Sequence, residues 1–149
     1  MRVVIQRVRR GWVAVSGETV GEIGQGLVVL LGIGPEDTES QADELAAQIA
    51  DLRIFPDQEG KMNLSLLDVA GQVLVVPQFT LYADTSRGNR PSFTGAAPPS
   101  RARELVNLFI RSLAEKGIPT QSGTFGAHMV VSLENDGPVT IALDTEGEW

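Results

Sequence analysis

The sequence predicts an α+β fold that is rich in strands and layered β/β/α, with two amphipathic helices. Two apolar runs, "GLVVLLGIG" and the start of "GQVLVVPQFTLYAD", are typical of strands covered on both faces. Two other segments repeat apolar residues at helical spacing, and about seven or eight strands accompany them. Two helices cannot cover so much sheet, so we expect the remainder to meet a second sheet layer or a partner subunit.

Composition limits the class of protein. A chain of 149 residues with 42% apolar residues is expected to form a single domain over residues 1–149. The net charge of −7 argues against broad binding to nucleic acid, although residues 1–10 hold four arginines and no acid. No apolar run is long enough to span a bilayer, and arginines interrupt any signal-peptide core, so we expect a cytoplasmic protein with no membrane partner.

The first half of the chain predicts strands followed by a helix. "RVVIQRV" and "WVAVS" have the pattern of two strands separated by "RRG", and "VGEIG" that of a short third strand after the turn "SGET". The buried strand "GLVVLLGIG" comes next. The helix in "PEDTESQADELAAQIADL" has Thr38 as its expected N-cap. Its apolar positions are Ala42, Leu45, Ala46, Ile49 and Leu52.

The second half adds an excursion, a strand, a long loop and a second helix. "RIF", "PDQEGK" and "MNLSLLD" predict a hairpin-like excursion. The strand in "GQVLVVPQFTLYAD" should bulge or end near Pro77, which has no N–H to donate. The stretch "TSRGNRPSFTGAAPPS" is a long loop of the kind that often carries function. The helix in "SRARELVNLFIRSLAEKG" should end at Gly117, and the strands "AHMVVSL" and "VTIALD" flank "ENDGPVT".

A search for familiar catalytic groups finds little. The chain has no cysteine. Its one histidine, His128, stands at the expected start of a strand, where a lone histidine is more often structural than catalytic. No serine elbow, dinucleotide-binding loop or phosphate-binding loop is present, and neither a metal nor a cofactor is expected. An enzyme with this sequence would therefore rely on backbone dipoles, hydroxyls and the substrate's own groups.

Two segments are compatible with more than one interpretation. In "PQFTLYAD", the polar Gln78 and Thr80 around Phe79 fit simple strand alternation, which is the favoured explanation. They also fit a bulged strand end whose N–H groups and hydroxyl stabilise an oxyanion. In "NDGPVT", a hairpin turn restricted by Pro138 is favoured over a probe aimed at a ligand.

Together these segments resemble the D-aminoacyl-tRNA deacylase family, also called D-tyrosyl-tRNA deacylases. The resemblance runs from "IQRV" through "GEIGQGLVVLLGI", "RIFPDQEGKMNLSL" and "ADTSRGNRPSF" to "TQSGTFGAHMVVSLENDGPVT", essentially the whole chain. The segment 77–80 stands as Pro-Gln-Phe-Thr where the family has Ser-Gln-Phe-Thr. The family's Gly-Pro-Val-Thr motif is present at 137–140. Several long matches in one order are more specific than either tetrapeptide.

The resemblance implies a fold like that of the deacylases and an enzyme that cleaves the ester between a D-amino acid and the terminal adenosine of tRNA. It also implies a homodimer in which a cis Gly-Pro motif of one subunit enters the active site of the other. The implied catalytic residues are Gln78, Phe79 and Thr80. The implied substrate-binding residues are Gly137, Pro138, Phe125, Met129 and Arg7.

Such a site needs little side-chain chemistry, because an aminoacyl ester is already activated. The resemblance implies that N–H groups near Phe79 and Thr80 bind the oxyanion and that the ribose 2′-hydroxyl takes part. If the carbonyls of Gly137 and Pro138 hold the amino group, an L side chain would collide with backbone, whereas a D residue or glycine would fit. Pro77 replaces the family's serine, which removes any hydrogen bond from that hydroxyl.

Two rival functions remain open at this point. A non-catalytic module that binds the tRNA acceptor end would explain the missing catalytic side chains and the loop arginines Arg87 and Arg90. A small-molecule esterase would hydrolyse esters that contain no RNA.

Overall fold

The fold is a six-stranded curled sheet with two helices packed against it and a separate two-stranded sheet. The structure, a computed structural model, describes residues 1–147. The strands are β1 (Arg2–Val15), β2 (Glu18–Ile23), β3 (Gly26–Gly32), β4 (Phe55–Pro56), β5 (Met62–Leu64), β6 (Gln72–Pro77), β7 (Thr120–Ser122) and β8 (Val130–Asp144). The helices are α1 (Glu39–Asp51), a 3-10 turn (Phe79–Tyr82) and α2 (Pro99–Glu115). The predicted α+β class and both amphipathic helices are confirmed. Neither α1 nor α2, in this described part, is long and apolar enough to cross a membrane.

The sheet is organised around β1. One edge of β1 pairs antiparallel with β3 through residues 2–8 and with β2 through residues 11–15, while its other edge pairs with β8. Strands β3, β6 and β7 continue the sheet in parallel. The Gln121 side chain accepts a hydrogen bond from the N–H of Glu22 at 2.8 Å, which joins β7 back to β2. The sheet therefore curls almost into a barrel.

The prediction of two strands separated by "RRG" is wrong, because β1 runs unbroken from Arg2 to Val15. The strand changes partner from β3 to β2 near Gly11. A Cβ at Gly11 would lie 2.6 Å from Cγ2 of Val28, so only glycine lets the two strands approach this closely. The glycine that suggested a turn is instead a close-packing position within one long strand.

The strand end predicted at Pro77 is confirmed, but the strand does not continue through "QFTLYAD". The N–H of Gln78 makes a last bond to the carbonyl of Leu31, at 2.8 Å, and residues 79–82 then form the 3-10 turn. The C-terminal part of the chain differs from the prediction in two details. The polar strand β7 was not anticipated, and β8 begins at Val130, so "AHM" lies outside it.

The hairpin interpretation of "ENDGPVT" is also wrong. Both flanking strands belong to β8 and pair with the same neighbour, since Asn135 faces Val8 and Thr140 faces Gln6. Residues 136–139 are therefore an excursion from the ladder, opposite Arg7, and not the tip of a turn.

The larger of two buried apolar clusters lies between the sheet and the two helices, and the smaller one consists of strand residues alone. The predicted apolar face of α1 is buried at Ala42, Leu45, Ala46 and Ile49, and Thr38 caps the helix in a reciprocal capping box with Gln41. The α-ammonium group of Met1 lies 2.8 Å from the carboxylate of Asp37, and both groups are completely buried.

Candidate active site

A cavity of about 400 Å³ opens where β6 ends. Pro77 and Phe79 form one side of it, and the start of α2 forms another. Phe125, Gly126, Ala127 and Met129 come from the segment that precedes β8, and Phe93, Ala96 and Ala97 come from the long loop. The lining is mostly apolar, with only main-chain polar groups at these positions. Such a site suits a planar or apolar ligand more than a free ion.

Aromatic rings dominate the mouth of the cavity. Phe79 is 57% exposed, which is unusual for a residue of its size, and its ring meets Phe93 edge-on with centroids 5.2 Å apart. The guanidinium carbon of Arg103 lies 5.1 Å from the centre of the Phe125 ring. These rings present faces on which a nucleobase could stack.

Polar groups of the 3-10 turn lie beside the cavity, because Phe79 in that turn lines it. The N–H groups of Phe79 and Thr80 lie in its first turn, where no preceding turn supplies a carbonyl acceptor. The amide of Gln78 donates to the hydroxyl of Thr80, and the carbonyl of Gln78 accepts from Leu81 at 3.3 Å. Two N–H groups with no acceptor among residues 1–147 and one oriented hydroxyl therefore flank an exposed aromatic ring. This arrangement can stabilise developing negative charge on an oxygen.

The excursion at residues 136–139 is held by a buried arginine and a half-buried asparagine. Arg7, only 8% exposed, donates from Nε to the carbonyl of Asp136 at 2.9 Å and from Nη1 to the carbonyl of Ile54 at 2.6 Å. The side chain of Asn135 accepts from the N–H of Val139 at 2.7 Å and donates to its carbonyl at 3.2 Å. Main-chain atoms on both sides of Gly137 are therefore fixed.

The Gly137–Pro138 peptide bond is cis, and Gly137 has a φ of 147°. A Cβ at Gly137 would lie 2.8 Å from the nitrogen of Val139 and 3.3 Å from Nη2 of Arg7. Both the dihedral angle and the space therefore require glycine at this position. Gly137 and Pro138 are themselves exposed.

The predicted site residues fall into two groups within one chain. Phe79, Phe125 and Met129 converge on the cavity, with Gln78 and Thr80 beside it. Gly137, Pro138 and Arg7 do not line it. The excursion is also distant along the chain: Asn135, the residue before it, already lies five residues beyond the start of β8, about 16 Å along the strand.

Sequence reasoning missed Phe93 and Ala97, which line the cavity, and Asn135, which clamps the excursion. The length of the loop that carries Phe93 was the available signal. An asparagine immediately before Asp-Gly was the signal for the clamp, because its side chain readily bonds nearby main chain. Within residues 1–147, no group of three or more His, Asp or Glu side chains could hold a metal ion.

The family model for the D-Tyr-tRNA(Tyr) deacylase matches residues 4–144. The chain belongs to this family. A D-aminoacyl-tRNA deacylase of Lacticaseibacillus casei (strain BL23) is 57% identical over 148 residues, covering 99% of this chain and 100% of that protein. Membership of the deacylase family, expected from the motifs, is thereby confirmed, and with it the class of enzyme: a hydrolase acting on aminoacyl-tRNA.

Solved structures resemble this deacylase-family chain throughout. The c-Myc DNA Unwinding Element Binding Protein superposes with a TM-score of 0.91 at 41% identity, covering 97% of this chain and 99% of its own. A probable eukaryotic D-amino acid tRNA deacylase superposes with a TM-score of 0.82 at 20% identity, covering 95% and 97%. At that identity, the second likeness shows the fold alone.

Proposed function

We propose that this chain hydrolyses D-aminoacyl-tRNA and glycyl-tRNA to free tRNA and amino acid, while sparing L-aminoacyl-tRNA. The observation that carries the proposal is the pair of free N–H groups at Phe79 and Thr80 beside the aromatic cavity. Family membership supplies the class of substrate. Because tRNA is charged in the cytoplasm, the enzyme acts there.

The cavity receives the terminal adenosine and the aminoacyl group. The exposed face of Phe79 and the ring of Phe125 stack against the base, and Met129 forms part of the apolar wall. Stacking fixes the ribose, and the ester carbon is thereby held next to the 3-10 turn. Positioning of this kind is a major source of rate enhancement when the bond is already reactive.

Hydrolysis then requires a water and an oxyanion site. Water adds to the ester carbonyl carbon, and the N–H groups of Phe79 and Thr80 donate to the resulting oxyanion. The ribose 2′-hydroxyl orients the water and relays its proton to the 3′-oxygen as the carbon–oxygen bond breaks. The hydroxyl of Thr80, oriented by Gln78, positions the ester and does not form a covalent intermediate.

Stereoselection comes from the excursion of a second subunit. The main chain around Gly137 and Pro138 is rigidly held, exposed and remote from its own cavity, so it is suited to complete the cavity of a partner in a homodimer. Its carbonyls accept hydrogen bonds from the substrate's ammonium group. With that group fixed, an L residue points its side chain into the backbone, whereas a D residue places only its hydrogen there.

The test is a multiple-turnover assay on D-tyrosyl-tRNA. Release of D-tyrosine well beyond one equivalent per subunit supports an enzyme, and release of one equivalent or less refutes the proposal in favour of an RNA-binding module. A matched substrate with a 2′-deoxy terminal adenosine distinguishes the proposed mechanism from the remaining alternative, a small-molecule esterase. An RNA-independent esterase would keep its rate on that substrate, whereas this mechanism loses it.

A further inference from the structure

Three arginines lie on the two segments that also supply residues to the cavity wall, the loop before Phe93 and the start of α2. Arg87 and Arg90 are exposed on the loop of residues 84–92, and Arg103 is exposed at the first turns of α2. None of the three forms an ion pair within residues 1–147. In a chain of net charge −7, these arginines create a local positive potential that attracts an anionic partner.

The loop that carries two of these arginines is pinned to the cavity wall. Asp84 and Ser92 exchange main-chain hydrogen bonds of 2.8 and 2.9 Å, which close the loop at its base. The N–H of Ser86 donates to the Asp84 carboxylate at 2.9 Å, and contacts with Ser86 hold the pKa of Asp84 below its usual range. The residue after Ser92 is Phe93, which lines the cavity and packs on Phe79.

Arg103 connects this loop to the nucleoside pocket. Its guanidinium group lies over the ring of Phe125, while Ala102, the preceding residue, lines the cavity. The arginine is therefore on the side of α2 that faces the opening. By contrast, Arg101 is turned towards α1 and is paired with Glu39 at 2.8 Å.

We propose that Arg87, Arg90 and Arg103, here called the arginine rim, bind the phosphates of the single-stranded 3′ end of the tRNA. This inference rests on the proposed function, in which the terminal nucleoside occupies the cavity. The nucleotides before it carry one phosphate each, and they must leave through the mouth. Guanidinium groups bind phosphate oxygens through paired N–H donors, and they remain charged at every physiological pH.

The rim is tested by comparing two substrates. We would measure kcat/KM for D-tyrosyl-tRNA and for D-tyrosyl-adenosine, which has the ester but no phosphate, with Arg87→Ala and Arg90→Ala. The matched control is Arg111→Ala, which removes an exposed arginine from the same protein about 12 Å further along α2 than Arg103. Arg103 itself is not substituted, because it also contacts Phe125.

Each loop variant should lower the ratio of the two kcat/KM values about fivefold and make the salt dependence on tRNA shallower by about one unit of log–log slope. Arg111→Ala should leave that ratio unchanged. Loop variants that match Arg111→Ala on tRNA, or that lose equally on both substrates, would overturn the rim alone. A wild-type protein that releases tyrosine from neither substrate would overturn the proposed function, and the rim with it.

Discussion

Arg7 is the residue whose removal should reveal most about how the excursion is held. It is 8% exposed and donates to two carbonyls, those of Asp136 and Ile54. A hydrogen bond from a charged group contributes about 1.5–3 kcal/mol net, so Arg7→Met should lower the free energy of unfolding by about 3–6 kcal/mol. Methionine keeps much of the aliphatic packing, and the loss therefore reports the guanidinium group.

Arg9→Met is the matched control, because Arg9 contacts the same aspartate from the solvent side. Its Nε lies 3.5 Å from the Asp136 carboxylate and its side chain is 77% exposed, so the pair should contribute about 0–1 kcal/mol. Urea unfolding followed by circular dichroism measures both variants. The same samples, assayed on D- and L-tyrosyl-tRNA, should show a lower D-to-L ratio for Arg7→Met only.

The reasoning would be refuted if Arg7→Met and Arg9→Met had the same unfolding midpoint. Should Arg7→Met fail to fold, Arg7→Lys provides the measurement, because a lysine ammonium group can reach one of the two carbonyls but not both. Its loss of stability should then be about half of that expected for the methionine variant. A lysine variant as stable as the wild type would contradict the two-carbonyl account.

Three further predictions concern single residues. Burial raises the pKa of Tyr82 above its ordinary value of about 10, so the tyrosinate absorbance of this one-tyrosine chain should appear only above that pH. Because the pKa of Tyr82 is higher in the folded than in the unfolded chain, the contribution of this residue to the free energy of unfolding is complete below about pH 10 and decreases as the pH rises above it. The variant Tyr82→Phe lacks this hydroxyl, which has no hydrogen-bond partner in residues 1–147, so its stability should fall less than that of the wild type above pH 10. An equal fall in the two proteins would contradict this prediction. Asp37→Asn should cost about 3–5 kcal/mol in thermal or urea unfolding, because it leaves the buried ammonium group of Met1 without its counter-charge; a cost below about 1 kcal/mol would refute this. Thr80→Val should slow D-tyrosyl-tRNA hydrolysis by about a hundredfold or less, whereas loss of a covalent nucleophile would cost more than about a thousandfold.

Local signals in the sequence were sufficient for several elements. The apolar spacing of α1, its cap at Thr38 and the strand end at Pro77 all depend on neighbouring residues, and each prediction is confirmed. The Gly137–Pro138 motif is also recognisable from its neighbours, although the hairpin predicted around it is wrong. The deacylase resemblance, not the residue pattern, pointed to a function for it.

Long-range pairing explains what the sequence could not reveal. Gly11 has the local pattern of a turn, but contacts with Val28 make it a packing position within β1. The excursion at 136–139 resembles a hairpin until both flanking segments are seen to pair with the same strand. Phe93 joins the cavity only because its loop folds back over the 3-10 turn. Each of these depends on contacts between distant segments, which local patterns do not encode.

The most direct test of main-chain stereoselection compares deacylation of D-alanyl-, glycyl- and L-alanyl-tRNA at equal enzyme. Rejection by backbone at Gly137 and Pro138 acts on the L side chain alone, so glycyl-tRNA should be cleaved within about a hundredfold of D-alanyl-tRNA, the range that one methyl group is worth in a pocket. L-Alanyl-tRNA should remain intact. Cleavage of D-alanyl-tRNA with glycyl-tRNA left untouched would contradict the account, because it would show that the enzyme recognises the D side chain itself.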